Sequence, residues 1–386
     1  MMDGFLLDAV TLLFAARIGG FAASRLRQSA VLGELLAGML VGPYVLGLFS
    51  ATSSEPINVV SNLGMLFLMF LVGFHIDFHK FQKFFRGGMI VALLGFVVPI
   101  AGGLLLAPFI GWSITASYLA GAAVAATSVG ITSAILLERK KNNTRAGIVV
   151  MDAAVIDDVY GVLLLGALFA VVINKETMSA MGIGLLKIPL FFLAAFLLGR
   201  NFTDRVVSIG QRLNLRVEEG LLSVILMFIF LGAYAANLVG LSYLVGAFMI
   251  GLMLEREGLK KLGKINHEIY SMSYGLFIPI FFAFIGANIN PVFILSNLPI
   301  LGILFIVTSL TKFAGAGAGS LLIGLSLKES IIVGVAMVPR LEVATIITQA
   351  GLSYGLINVE QFSLLMATFS LTILLTPFFL YPLLKK

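Results

Sequence analysis

Two adjacent carboxylates, Asp157 and Asp158, lie in "AAVIDDVYG" (153–161), between "AGIVVMDAAVI" and "GVLLLGALFAVV". An acid in such a run titrates under strong constraint. Burial penalises the charged form, and a second carboxylate close by adds repulsion. A group of this kind holds a proton at one pH and exchanges it for a small cation at another. Neighbours on a helix project about 100° apart, so the two acids face different surroundings. One can meet a water-filled cavity while the other meets an adjacent helix. A pair at a helix end outside a membrane is the plain alternative, and the apolar sequence continuing on both sides argues against it.

The other ionisable residues inside long apolar stretches include Glu34, Asp152, Lys187, Lys312, Arg340 and Glu342, with Asp8 and Arg17 in the first stretch placed to reach an interface. Each charge at the centre of a membrane helix costs roughly 3 kcal/mol, so Asp157, Asp158, Lys312, Arg340 and Glu342 unpaired would cost about 15 kcal/mol. Three acids and two bases form a nearly balanced set, which implies mutual compensation or access to water. Lys312, in "TSLTKFAGAGAG", reads as an ion-pair partner of one Asp, the alternative being a Lys that snorkels to the headgroups. Arg340 and Glu342, in "VPRLEVAT", are expected to offset half-helix charges or to pair with each other, in a structural and gating role. Thr127 and Ser128, in "AATSVGITS", offer hydroxyls and carbonyls to a hard cation if their helix is broken, or bond back within an intact helix. Both readings stand at this point. Asp152, six residues before Asp158, is expected to face a vestibule.

The elements that position these groups are membrane helices. The chain has 386 residues, 60% hydrophobic and only 11% charged, with a mean hydropathy of +1.07. Soluble domains carry about 25% charged residues. With no Cys, disulfides and thiolate metal sites are excluded. Stretches of about 20 apolar residues fall near 4–24, 29–48, 57–76, 87–111, 115–137, 145–173, 181–199, 218–237, 240–255, 268–287, 297–324, 328–352 and 361–383. That is about thirteen crossings. Basic residues such as Arg25, Lys83, Arg139, Lys141, Arg212, Lys260, Lys328 and Lys386 fall in the connections after odd-numbered spans, whereas those after even-numbered spans carry only Lys175. The positive-inside rule then predicts an outside N-terminus and a cytoplasmic C-terminus. The net charge of +6 is a topology signal and implies no nucleic-acid partner. The acidic start predicts no cleavable signal peptide, and the apolar end predicts no soluble C-terminal domain.

A shift of 213 residues lays "SAVLGELLAGML" (29–40) on "SYLVGAFMIGLM" (242–253), matching Gly33 with Gly246 and Gly38 with Gly251. The same shift sets Gly73 on Gly286, Asp77 on Asn290 and Thr132 on Thr345. Repeat one then spans about 4–173, repeat two about 218–383, with a linking helix near 181–199, in a single membrane transporter unit of residues 1–386. Seven crossings separate the copies, so they face opposite ways. Such inverted repeats build secondary transporters, with discontinuous helices at the midplane. The fifth and twelfth spans are the expected broken pair. At the same shift the acids fall on Ser370 and Leu371, which predicts one cation site per protomer.

At these residues the sequence resembles the bacterial monovalent cation/proton antiporters of the second cation/proton antiporter family, of the NapA and GerN type. The resemblance rests on "VLGELLAGMLVGP", "GMLFLMFLVGFHID", "ATSVGITSAIL", "AAVIDDVYG", "LVGAFMIGLML", "FIGANIN", "LTKFAGAG" and "VPRLEVA". It implies Asp158 as the main cation- and proton-binding carboxylate, Asp157 as the partner of Lys312, and Thr127 at a helix break beside the site. It also implies a homodimer in the bacterial inner membrane, exchange of Na+, with K+ or Li+ as further substrates, for H+, and no cofactor or enzymatic step. Where the family often has Arg-Gly-Glu, this chain has Arg340-Leu341-Glu342. The expectation is an all-α integral membrane antiporter working by alternating access, electrogenic because of the carboxylate pair and Lys312. The competing readings are a sodium-coupled organic-solute symporter, which needs a polar substrate cavity, and a cation channel, which needs no proton counterflow.

Overall fold

The computed structural model describes residues 2–172 apart from 27, 50–53 and 76–77, and residues 219–384 apart from 240 and 255–262, with a few positions between 190 and 197. The predicted linking helix at 181–199 lies, but for those positions, outside the described residues. Every regular element among the described residues is helical. Seven stretches there are long and apolar enough to cross a membrane by length and composition, and the shorter apolar helices include Ala30–Val41 and Tyr243–Met253.

The first run comprises α1 (Met2–Arg25), α2 (Ala30–Val41), α3 (Ser54–Phe74), α4 (Phe78–Leu106), α5 (Ile114–Ala125), α6 (Val129–Glu138) and α7 (Arg145–Val172). The second comprises α8 (Glu219–Leu238), α9 (Tyr243–Met253), α10 (Gly263–Met272), α11 (Ile278–Ala287), α12 (Pro291–Ser296), α13 (Leu298–Leu322), α14 (Leu327–Ala336), α15 (Glu342–Ser353) and α16 (Val359–Leu383). A π turn, Ser273–Phe277, joins α10 to α11.

Helix starts follow the capping chemistry of the sequence. Ser29 accepts from the amide of Val31, and Ser242, 213 positions on, accepts from that of Leu244. Ser113 accepts from the amide of Ala116, and Ser326, again 213 positions on, from that of Glu329. Each cap satisfies an amide left without a partner in the first turn. Close approach recurs at the same spacing. A Cβ on Gly33 would lie 2.0 Å from the Gly19 carbonyl oxygen, and one on Gly246 would lie 2.1 Å from that of Gly232.

The described residues form two compact units: one of Met1–Val59, Phe84–Gly161 and Phe282–Lys386, the other of Val60–Lys83 and Val162–Phe281. In the first, α1 packs on α2, α5 on α15, and α13 on α14. In the second, α8 packs on α9. Along α1, Leu6, Leu7, Val10, Phe14, Ile18 and Phe21 are all exposed, an apolar stripe too long for water and suited to lipid.

Candidate cation and proton site

The site lies within the first unit, at two interruptions of helix. α5 stops at Ala125 and α6 begins at Val129, with Ala126 and Ser128 in extended conformation between them. Thr127 and Ser128 supply hydroxyls that compete with helical hydrogen bonding, which favours a break here. The second interruption separates α14, ending at Ala336, from α15, starting at Glu342. Pro339 has no amide hydrogen and disfavours helix at the residue before it, so the chain opens there.

The two interruptions are bonded to each other. The Ser128 amide donates to the Pro339 carbonyl at 2.8 Å, and Thr132 Oγ1 donates to the Ala336 carbonyl at 2.6 Å. Both Ser128 and Thr132 are buried. The Ser128 interaction found here runs through its backbone, and of the two readings of Thr127 and Ser128 it is the broken helix that this chain adopts.

Three residues singled out from the sequence meet at the break. Lys312 Nζ, from α13, donates to Asp157 Oδ2 at 2.7 Å, with neither side chain exposed at all. The same ammonium donates to the Ala125 carbonyl at 2.6 Å. Thr127 Oγ1 donates to the same Asp157 oxygen at 2.5 Å, with the Met337 carbonyl 3.4 Å away. Asp157 Oδ2 thus receives an ammonium and a hydroxyl, whereas Oδ1 is buried without a hydrogen-bond partner. α4 passes Lys312 at Gly95, where a Cβ would stand 3.4 Å from Lys312 Cε, an ordinary contact distance.

Arg340 is fully buried and among the largest fully buried side chains. Its Nε donates to the Val124 carbonyl. Its Nη1 reaches the carbonyls of Met337 at 2.7 Å, Val338 at 2.5 Å and Pro339 at 3.0 Å. Its backbone amide donates to Thr372 Oγ1 on α16 at 3.1 Å. The last carbonyls of α5 and those after α14 carry the negative ends of two helix dipoles, and Lys312 and Arg340 put positive charge against them. Asp158 follows Asp157 on α7 and Glu342 opens α15, but the side chains of both lie outside the described residues. Backbone carbonyls at Val124, Ala125 and Met337 complete the arrangement. No residue type announces them; the only sequence signal is the expected break itself. Asp152, read as facing a vestibule, is instead completely buried.

What this arrangement can do is hold one buried ion pair at a helix break and re-form it around a small cation, in a class of helical membrane proteins with interrupted spans. The fold is shared with the solved sodium proton antiporter MjNhaP1 from Methanocaldococcus jannaschii, at a TM-score of 0.69 and 17% identity over 99% of this chain and 98% of that one. Residues 10–386 match the family described as "Sodium/hydrogen exchanger, transmembrane". The chain is 32% identical over 382 residues to the probable Na(+)/H(+) antiporter GerT of Bacillus cereus, covering 99% of each. It is also 32% identical over 374 residues to the Na(+)/H(+)-K(+) antiporter GerN of the same organism, covering 97% of this chain and 94% of the relative. The chain belongs to the sodium/hydrogen exchanger family.

Proposed function

We propose that this chain carries out antiport of monovalent cations and protons in the following way. Na+, with K+ and Li+ as further substrates, exchanges for H+ by alternating access, with Asp158 as the main cation and proton carboxylate. Asp157 holds Lys312 while the site is empty of cation. Cation arrival weakens that pair, and the Lys312 ammonium gives up its proton, so two protons move against one monovalent cation and the exchange is electrogenic. Thr127 and Ser128 border the site, and Arg340 and Glu342 hold the interrupted helices. The observation that carries this reading is the completely buried Lys312–Asp157 pair at a helix break. Removing one partner of such a pair strands a charge in low dielectric, so breaking it needs a replacement cation or a proton.

The same reading includes one transporter unit of residues 1–386, with about thirteen crossings and two inverted repeats joined near 181–199. Matching serine caps, matching glycine contacts and matching helix breaks at a constant offset of 213 support the repeat. Further contacts exchange partners between the copies. Gly38 meets the Ala283 carbonyl, whereas Gly251 meets that of Phe70, and each number differs by the same 213. We place the chain as a homodimer in the bacterial inner membrane, N-terminus outside and C-terminus in the cytoplasm. The deciding experiment is proton flux in proteoliposomes with Na+, K+ and Li+ added in turn. Flux coupled to an organic solute alone would instead indicate a symporter, and cation flux without proton counterflow a channel.

A further inference from the structure

Asp152 has no part in the arrangement above, and its surroundings set it apart from every other acid described. It is completely buried on α7, and both carboxyl oxygens are buried without a hydrogen-bond partner. Its chain neighbours Val149, Val150, Met151, Ala153 and Ala154 are all buried and apolar. Neither oxygen meets a hydrogen-bond donor, from α4 or from its own helix, among the described residues. Buried polar groups in folded proteins are nearly always hydrogen-bonded. A structural Asp at this position would have acquired a donor, and an apolar side chain would pack there at lower cost. Packing alone therefore does not account for the acid.

Its position indicates what does. α4 crosses α7 at Gly88, where a Cβ would come within 2.4 Å of Asp152 Cβ, and Gly95 on the same helix lies against Lys312. Seven residues are close to two helical turns, so Gly88 and Gly95 share one face of α4, about 10 Å apart. On α7, Asp152 precedes Asp157 by five residues, a rise of about 7.5 Å with a turn of about 140°, so any link between them follows α4 rather than the surface of α7. One seam of α4 thus runs from Asp152 to the Lys312–Asp157 pair. α7 begins at Arg145 directly after the basic connection holding Arg139, Lys140 and Lys141, so Asp152 stands on the cytoplasmic side of the pair.

We infer that Asp152 is a second proton-binding group of the transport path, holding a proton in the closed seam between α4 and α7 and exchanging it when water enters that seam. This rests on the antiport reading and on the orientation given there. When water enters the seam, the Asp152 carboxyl gives its proton to cytoplasmic water, and the carboxylate left behind takes a proton from the Lys312 ammonium or the Asp158 carboxyl. The reverse order loads the site. No bond other than O–H and N–H changes.

The test is made on the full chain in proteoliposomes. Asp152→Asn keeps the shape and removes the exchangeable proton. The expected result is a Na+-driven proton flux slower by at least about tenfold, a displaced pH profile and an unchanged KM for Na+, with Asp152→Glu restoring rate and profile. In infrared difference spectra taken across a pH titration, the wild type should show a C=O component of a protonated buried carboxyl, beyond those of Asp158 and Glu34, that is missing in Asp152→Asn. Asp152→Leu, which fits the apolar surroundings, should fold with undiminished thermal stability. A folded Asp152→Asn protein with the wild-type pH profile, or with the full infrared band, overturns the inference. The infrared arm does not need transport, so a wild type that exchanges no cation fails the antiport reading while leaving the carboxyl band to decide Asp152.

Discussion

Lys312 divides its ammonium between the Asp157 carboxylate, at 2.7 Å, and the Ala125 carbonyl, at 2.6 Å. One side chain therefore compensates both an acid and the negative end of α5. The ion pair and the helix break cannot be altered independently, and the first prediction uses this.

Lys312→Gln should destabilise the folded protein by about 3–5 kcal/mol, because it strands the Asp157 charge. Adding Asp157→Asn should recover a large part of that loss, and thermal unfolding of both single variants and the double variant in detergent measures the coupling. If Lys312 carries a transported proton, the exchange surviving in Lys312→Gln becomes insensitive to voltage at clamped membrane potentials. Identical voltage dependence in wild type and variant would remove Lys312 from the cycle.

Asp158→Asn keeps the side-chain shape and removes the titratable oxygen. Cation-driven proton movement should vanish while the unfolding temperature stays within a few degrees of wild type. Appreciable exchange by the folded variant places the cation site elsewhere.

Arg340→Lys is not conservative at this position. The guanidinium reaches carbonyls on both sides of the crossing, and a single ammonium cannot span Val124 and residues 337–339 together. Buried carbonyls left without donors cost about 1–3 kcal/mol each, so Arg340→Lys should lower the unfolding temperature clearly and Arg340→Ala further. Equal stability of Arg340→Ala and wild type would show the capping to be without weight.

The absence of native cysteine allows orientation to be read with single introduced thiols. Glu55→Cys, in an exposed position between the second and third predicted spans, should react with an impermeant maleimide added outside intact cells. Lys328→Cys, also exposed, should react only after the membrane is opened. The reverse pattern would invert the proposed topology and, with it, the cytoplasmic placement of Asp152.

Much of this architecture was legible before any coordinates. Helix breaks at 126–128 and near Pro339 follow from hydroxyl-bearing residues and from a proline with charge beside it. The cost of burying an ammonium required that Lys312 meet an acid; the resemblance, not the cost, indicated Asp157. The offset of 213 residues was legible because glycines at helix contacts tolerate no Cβ, so their spacing stands out among interchangeable apolar residues. The acceptors for Arg340 were not legible, since a guanidinium finds carbonyls as readily as carboxylates and backbone oxygens leave no trace in residue type. Nor was the seclusion of Asp152, because a carboxylate on a helix looks the same in sequence whether a vestibule or a glycine faces it.

The bonds that tie the two interruptions together also have a mechanical meaning. Ser128 to Pro339, Thr132 to Ala336 and Arg340 to Val124 act as three rivets through one joint, each crossing from one broken helix to the other. A joint fastened at three points resists shear at its centre. On the alternating-access reading proposed above, displacement of the surrounding helices is carried by the joint as a stiff node, and the geometry of the proposed site travels with it. The same site geometry can thus be offered to either face of the membrane, which lets one set of ligands weigh cation against proton under two different solutions.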